Sequence, residues 1–203
     1  MHSLDALIRE AEIAHGHLCA GQILGVRLAM LGLAKLGIDD PRGKDRKRLV
    51  TFVEIDRCAT DAIGVVTGCR LGKRALKFRD WGKMAATFVD LGVQSRPAGS
   101  DNRYKAIRVA AKESSKKLAR EMHPEIENKN QQQMLAYRKM KDEDLFTTEW
   151  VRVELLPEEF PGYKADRIVC AECGEGINFR REVERDGRIL CKACAGEKYY
   201  EPL

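Results

Sequence analysis

Residues 15–33, HGHLCAGQILGVRLAMLGL, join two different kinds of sequence. The segment begins with His15, His17 and Cys19, whose side chains are typical ligands of transition metals. From position 20 onward, apolar residues recur every three or four positions, which predicts a core helix over residues 20–36. The sequence therefore places three metal-binding side chains directly before the helix around which we expect the core to form.

The residues on either side predict a mixture of helices and strands. An amphipathic helix is predicted over residues 3–14, and CATDAIGVVTGC (58–69) predicts a shorter helix. LVTFVEID (49–56) alternates like a strand, and residues 74–89 predict a β-hairpin that turns at residues 80–83, with the indole of the turn packed in the core. This mixed order is typical of an α+β domain.

Length and composition indicate a folded chain with two domains. The 203 residues are 44% hydrophobic and 33% charged, which suits a core domain with a small appendage. We place the boundary in the linker PEEFPGY, giving a core domain over 1–160 and a second domain over 161–203. Arg27 and Lys35 interrupt the longest apolar run, so we expect a soluble, cytoplasmic protein without a membrane segment.

Two Cys-x2-Cys pairs near the end of the chain predict a structural zinc module. The four cysteines are Cys170, Cys173, Cys191 and Cys194. The 17 residues between the pairs suit a four-thiolate site and contain a predicted hairpin with its turn at Asp186-Gly187. A short helix is predicted at the second pair, an order of elements that looks like a treble clef. Because acidic residues offset the basic ones here and the net charge is only +5, nucleic-acid binding is possible but not favoured.

The first cluster has several interpretations. His15, His17 and Cys19 could hold zinc or another late transition metal, and Cys58, at the mouth of another helix, is a candidate fourth ligand. Cys19 could instead be a reactive thiol at a helix N-terminus, where the helix dipole favours negative charge. The residues could also simply cap helices, and the spacing alone leaves these alternatives open.

Taken together, these motifs resemble the FmdE family, which takes its name from a component of formylmethanofuran dehydrogenase. The resemblance rests on the segment 15–33, on VEIDRCATDAIGVVTGCRLGK (53–73) and on the paired cysteines, and it covers about residues 3–155 and 165–200. It implies a thioredoxin-like α+β core with a mixed β-sheet flanked by helices, followed by a treble-clef zinc finger.

The resemblance also implies a candidate active site with a metal, usually zinc, in the core domain. The family's metal-site motif falls on His15, His17, Cys19 and Cys58, with Asp61 close by. Proline often follows the motif cysteine in this family, whereas this chain has alanine there. We therefore expect two zinc sites, one structural and one in the core, where Cys19, Cys58 and Asp61 are the candidate catalytic residues.

Two function classes follow. The first is a metal-dependent enzyme, or an accessory subunit, linked to molybdenum or tungsten formylmethanofuran dehydrogenase chemistry. The chain has neither a pterin-binding signature nor iron-sulfur spacing, so we do not expect it to catalyse that reaction itself. The alternative is an interaction protein whose zinc finger docks a protein or a nucleic acid. The sequence does not decide whether the protein is an enzyme.

The remaining expectations concern partners and redox chemistry. The resemblance implies a homodimer and a possible larger oxidoreductase complex. Thiol redox chemistry ranks last, because the core lacks a Cys-x-x-Cys motif and Cys19, Cys58 and Cys69 are far apart in sequence.

Overall fold

The computed structural model describes residues 2–92 and 103–203. The chain divides into two compact units, Met1–Leu155 and Leu156–Leu203. None of the helices in the described ranges is long and apolar enough to span a lipid bilayer.

The first unit combines helices with a five-stranded sheet. Its helices are α1 (Leu4–His15), α2 (Ala20–Leu36), α3 (Cys58–Thr67), α4 (Ser114–Met122), α5 (Lys129–Lys139) and α6 (Asp142–Leu145). Its strands are β1 (Leu49–Val53), β2 (Leu76–Phe78), β3 (Ala85–Asp90), β4 (Arg103–Ala111) and β5 (Phe146–Glu154). The predictions of an α+β fold with a mixed sheet, and of a core helix over residues 20–36, are confirmed.

Helices α1 and α2 begin and end at residues whose chemistry explains the boundaries. The Ser3 hydroxyl accepts a hydrogen bond from the Ala6 amide at 3.3 Å and so caps the start of α1. Gly16 ends α1 in the left-handed conformation, with φ of +92°. After this turn, α2 starts at Ala20 and buries Ile23, among other apolar residues, in the core.

Helices α2 and α3 pack with their backbones in close contact. A β-carbon added to Gly25 of α2 would lie only 2.5 Å from the carbonyl oxygen of Ala59 in α3. Only glycine has the small volume that this approach requires. The two helices therefore start side by side, which fixes the distance between the residues at their N-termini.

The sheet has the order β2-β1-β3-β4-β5, and the predicted hairpin over residues 74–89 is wrong. β2 and β3 do not pair with each other, because β1 lies between them. Thr51 of β1 is in register with Leu76 of parallel β2 on one side and with Phe88 of antiparallel β3 on the other. β1 is buried along its whole length, so its non-local packing overrides the local turn signal.

The segment between β2 and β3 also corrects the expected position of Trp81. We predicted that its indole packs in the core, whereas the structure leaves 61% of the residue exposed. Trp81 lies in the connection that passes around the end of β1, where its backbone amide donates to the carbonyl of Glu54 at 3.2 Å. Because the connection leaves the sheet at this point, its side chain projects away from the core.

The second unit consists of two small hairpins and two short helical segments. Its strands are β6 (Ile168–Val169), β7 (Gly176–Ile177), β8 (Val183–Arg185) and β9 (Arg188–Leu190), and the helical segments are Pro157–Glu159 and Ala193–Glu197. β8 and β9 connect through Asp186 and Gly187, which both have positive φ, as the predicted two-residue turn requires. The buried residues of this unit are few, so its stability needs another source.

Candidate metal centres

The four C-terminal cysteines come together in a geometry that fits zinc. The sulfurs of Cys170, Cys173, Cys191 and Cys194 all lie within 4.8 Å of one another. Those of Cys173 and Cys191 are 3.9 Å apart. Zinc-sulfur bonds of about 2.3 Å in a tetrahedron place neighbouring sulfurs about 3.8 Å apart. The donor set and the spacing therefore both suit a closed structural zinc site.

The backbone around these cysteines stabilises negative charge on sulfur. Backbone amides lower the pKa of Cys170 to about 6, the largest effect coming from the amide of Cys173, followed by that of Cys191. The Cys191 amide lies 3.2 Å from the Cys170 sulfur. Burial, together with the neighbouring thiols, raises the pKa of Cys194. The four thiols therefore cannot all ionise without a cation, and a divalent metal supplies that charge.

His15, His17 and Cys19 form a second cluster, in the connection between α1 and α2. One potential ligand atom from each residue lies within 4.8 Å of the others, and the imidazole centroids are 4.7 Å apart. His15 is the last residue of α1, and Cys19 is the N-cap of α2. The left-handed turn at Gly16 brings the three side chains together, which a continuous helix would not do.

Asp61 orients one of these imidazoles. The Nδ1 atom of His15 lies 2.8 Å from Oδ2 of Asp61, which stands in the first turn of α3. With Nδ1 donating to the carboxylate, Nε2 has the lone pair that a metal requires. A carboxylate in this position is the usual partner of a metal-ligating histidine. The donor chemistry of the cluster therefore fits zinc or a similar ion.

Cys58 lies beside Cys19 but outside the cluster of three. A β-carbon on Gly21 would be 3.2 Å from Cβ of Cys58 and 3.6 Å from the sulfur of Cys19, so the two cysteines border the same small space. Burial raises the pKa of the Cys58 thiol, and the neighbouring Cys19 thiol raises it further. The Cys58 thiol can therefore contact the Cys19 thiol as well as a small molecule or metal bound at the cluster.

Two polar residues that fix this site were not predicted from the sequence. The fully buried Gln22 donates through Nε2 to the Cys58 carbonyl at 2.7 Å. The Ala20 amide donates to Oδ1 of Asn130 at 3.0 Å, which ties the start of α2 to α5. Gln22 could have been identified from the sequence, because it is a polar residue within the apolar stripe of α2. No local pattern indicated Asn130, 110 positions away from Ala20 in sequence.

The core cluster lies at the carboxyl end of the parallel strands β1 and β2. Residues 54–57 lead from β1 into Cys58, and the connection that follows β2 hydrogen-bonds to them through the amides of Trp81 and Lys83. The Lys83 ammonium lies 5.7 Å from the centroid of the exposed Trp81 ring. The carboxyl ends of parallel strands are the usual place for ligand sites in sheets with helical crossovers.

Two family models match the chain. Residues 14–147 match the family described as "FmdE, Molybdenum formylmethanofuran dehydrogenase operon". Residues 165–200 match the prokaryotic dksA/traR C4-type zinc finger. The second match covers all four C-terminal cysteines, and the first covers every residue of the core cluster.

One curated relative and one solved structure are similar to this chain. A probable S-adenosyl-L-methionine-binding protein of Archaeoglobus fulgidus is 31% identical over 205 residues, an alignment that includes 97% of this chain and 54% of the relative. The chain therefore spans about half the length of that relative. The crystal structure of a tungsten formylmethanofuran dehydrogenase FmdE-like protein from Syntrophus aciditrophicus has a TM-score of 0.60 at 18% identity, over 98% of this chain and 96% of the other. This likeness shows a common fold.

Proposed function

The chain belongs to the FmdE family, and on that premise we propose that its core unit is a metal-binding module acting in formyl-group chemistry, as an enzyme or as an accessory component of one. The link to formyl groups comes from the family description, which names a formylmethanofuran dehydrogenase operon. The role of the site depends on its own residues, because one fold supports many functions.

The observation that carries this proposal is the convergence of His15, His17 and Cys19 with an oriented imidazole. Three protein ligands leave a zinc ion with an open coordination position, as in catalytic rather than structural sites. A zinc ion held in this way supplies Lewis-acid polarisation of a carbonyl oxygen or acidification of a bound water. His17 is exposed, so a small molecule can reach the cluster from solvent.

The surrounding residues of the chain position the ligands. Asp61 fixes the ring orientation and tautomer of His15 through the 2.8 Å hydrogen bond. Asn130 holds the first amide of α2, and with it the backbone next to Cys19. Gln22 holds the backbone of Cys58. These contacts come from three helices and hold His15 and the backbone beside Cys19 in place before a metal binds. The Asp61 carboxylate can also accept a proton from His15.

A second candidate function, favoured by the exposed Trp81, is that of an interaction protein. Tryptophan is enriched at surfaces that contact a partner, and 61% of Trp81 is exposed. In this case the core metal has a structural role, and the finger or the Trp81 surface docks a protein. The expected homodimer and larger oxidoreductase complex belong to this candidate, and light scattering of the purified protein tests the first of them.

Metal analysis of the reduced, full-length protein tests the first proposal. We expect two zinc ions per chain, one of which mild chelation removes, and one zinc per chain in Cys19→Ala. Cys69→Ala is the matched control, since it removes a core thiol that lies outside the cluster. A single chelation-resistant zinc in both wild type and Cys19→Ala would contradict the proposal. Titration of the zinc-loaded protein with formate, a formamide and S-adenosyl-L-methionine then compares the affinities of three classes of ligand. S-adenosyl-L-methionine is included because the curated relative is described as a probable binding protein for it.

A further inference from the structure

We propose that Cys19 and Cys58 form a redox-active dithiol, and that its oxidation to a disulfide removes Cys19 from the metal cluster. The second part of this inference rests on the proposed function, because it takes Cys19 as a ligand. A disulfide requires two sulfurs close together in space, whatever their separation in sequence. The structure brings together two thiols that the sequence places 39 positions apart.

Cys19 and Cys58 lie close together, since both border the space in front of Gly21. The Cys19 thiol is near enough to contribute to the raised pKa of the Cys58 thiol. A side chain at that position would contact Cβ of Cys58 at 3.2 Å and the sulfur of Cys19 at 3.6 Å. The absence of a side chain on Gly21 therefore leaves room for the two sulfurs to approach each other.

The backbone holds the two cysteines in place. Cys19 is the N-cap of α2, and Cys58 is the first residue of α3. The close contact between Gly25, in the second turn of α2, and Ala59, the residue after Cys58, fixes the separation of these helices. The hydrogen bond from Gln22 to the Cys58 carbonyl, at 2.7 Å, ties the two N-termini directly together. The two cysteines are therefore held at adjacent helix starts before any bond forms.

The core cysteines differ in their accessibility to an oxidant. Cys19 and Cys58 are both partly exposed, whereas Cys69 is only 3% exposed. The Cys69 sulfur also accepts a hydrogen bond from the Thr51 hydroxyl at 3.5 Å, between β1 and α3. A small oxidant therefore reaches the first two thiols and not the third.

The oxidant that balances the reaction is a low-molecular-weight disulfide. The sulfur of one cysteine attacks this disulfide, breaks its S–S bond and releases one small thiol. The second cysteine then attacks the mixed disulfide, forms the Cys19–Cys58 bond and releases the second small thiol. The protein loses two electrons and two protons, and the small disulfide gains both. The Cys19 sulfur is then bonded to sulfur and can no longer act as a thiolate ligand.

Oxidised glutathione is the probe for this reaction. Mild chelation first removes the core metal from the full-length protein and leaves the finger zinc in place. The protein is then incubated with oxidised glutathione, alkylated and digested for mass spectrometry. We expect the Cys19 peptide joined to the Cys58 peptide, with no glutathione retained. In Cys58→Ser we expect Cys19 to carry one glutathione, because no second thiol resolves the mixed disulfide. Zinc titration should show at least tenfold weaker core binding after oxidation, and dithiothreitol should restore it.

Different results separate this inference from the proposed function. Glutathione on both cysteines, unmodified thiols, or a bond to Cys69 would overturn the dithiol. Equal zinc affinity before and after oxidation would overturn the coupling to metal. If the disulfide forms but the reduced core binds no metal, the proposed function fails and the dithiol remains. If the reduced core binds zinc and no disulfide forms, only the dithiol is lost.

Discussion

The imidazole of His15 and the carboxylate of Asp61 form a 2.8 Å hydrogen bond between residues 46 positions apart. This contact links the end of α1 to the first turn of α3 and orients the imidazole that we propose as a metal ligand. We predict that Asp61→Asn lowers the zinc affinity of the core cluster by about 10-fold to 100-fold, because a histidine ligand without its carboxylate partner is a weaker and less ordered donor. Competition titration against a chromophoric chelator measures the change.

Asp56→Asn is the control for this experiment. Asp56 is an exposed carboxylate in the connection between β1 and α3, so its replacement changes the local charge equally. We expect it to alter zinc affinity less than twofold. A similar loss of affinity in both variants would attribute the effect to net charge rather than to the orientation of His15.

The contact between α2 and α3 predicts that Gly25→Ala destabilises the core. The added methyl group would lie 2.5 Å from the Ala59 carbonyl oxygen, so the helices must separate. We expect a loss of about 1–3 kcal/mol in the free energy of unfolding, typical of overpacking, despite the better helix propensity of alanine. Urea denaturation followed by circular dichroism measures it. Gly72→Ala, whose methyl group would contact nothing within 4 Å, should stay within about 0.5 kcal/mol of wild type.

The buried thiol of Cys69 predicts a loss of stability at alkaline pH. Burial raises the pKa of this thiol in the folded state. As pH rises above about 8.5, the unfolded chain releases the Cys69 proton before the folded chain does, so stability present at lower pH is lost until the folded pKa is passed. The slope from this group is at most about 1.4 kcal/mol per pH unit. Urea unfolding between pH 7 and pH 10 should therefore show a smaller decline in Cys69→Ala, and equal declines would contradict the prediction.

The geometry of the four-cysteine site predicts that Cys173→Ser unfolds the second unit alone. Its few buried residues cannot replace the energy of zinc binding, and two of them, Cys170 and Ala195, belong to the region around the site itself. We expect the variant to lose one zinc per chain and the dispersed amide resonances of the second unit, with those of Met1–Leu155 unchanged. Elemental analysis and nitrogen-15 NMR check this result, with Cys69→Ala as the control that keeps the finger zinc. Loss of dispersion throughout the chain would show that the core depends on the finger.

Local sequence patterns predicted much of this protein. The period of apolar residues located α2. Ser3 and Gly16, at the two ends of α1, located that helix. The spacing of the C-terminal cysteines predicted their zinc module, and the cluster of His15, His17 and Cys19 was visible within five residues. These features depend on neighbours within one or two helical turns or one knuckle, so the sequence carries them directly.

Only the tertiary structure decided which distant segments meet. A turn signal at residues 80–83 predicted a hairpin, but the burial of β1 places that strand between β2 and β3. Cys19 and Cys58 are neighbours because α2 and α3 pack backbone to backbone at Gly25, and the bond between His15 and Asp61 exists because the end of α1 meets the first turn of α3. Such contacts depend on side-chain volume and burial across the whole core, which no periodicity along the chain encodes.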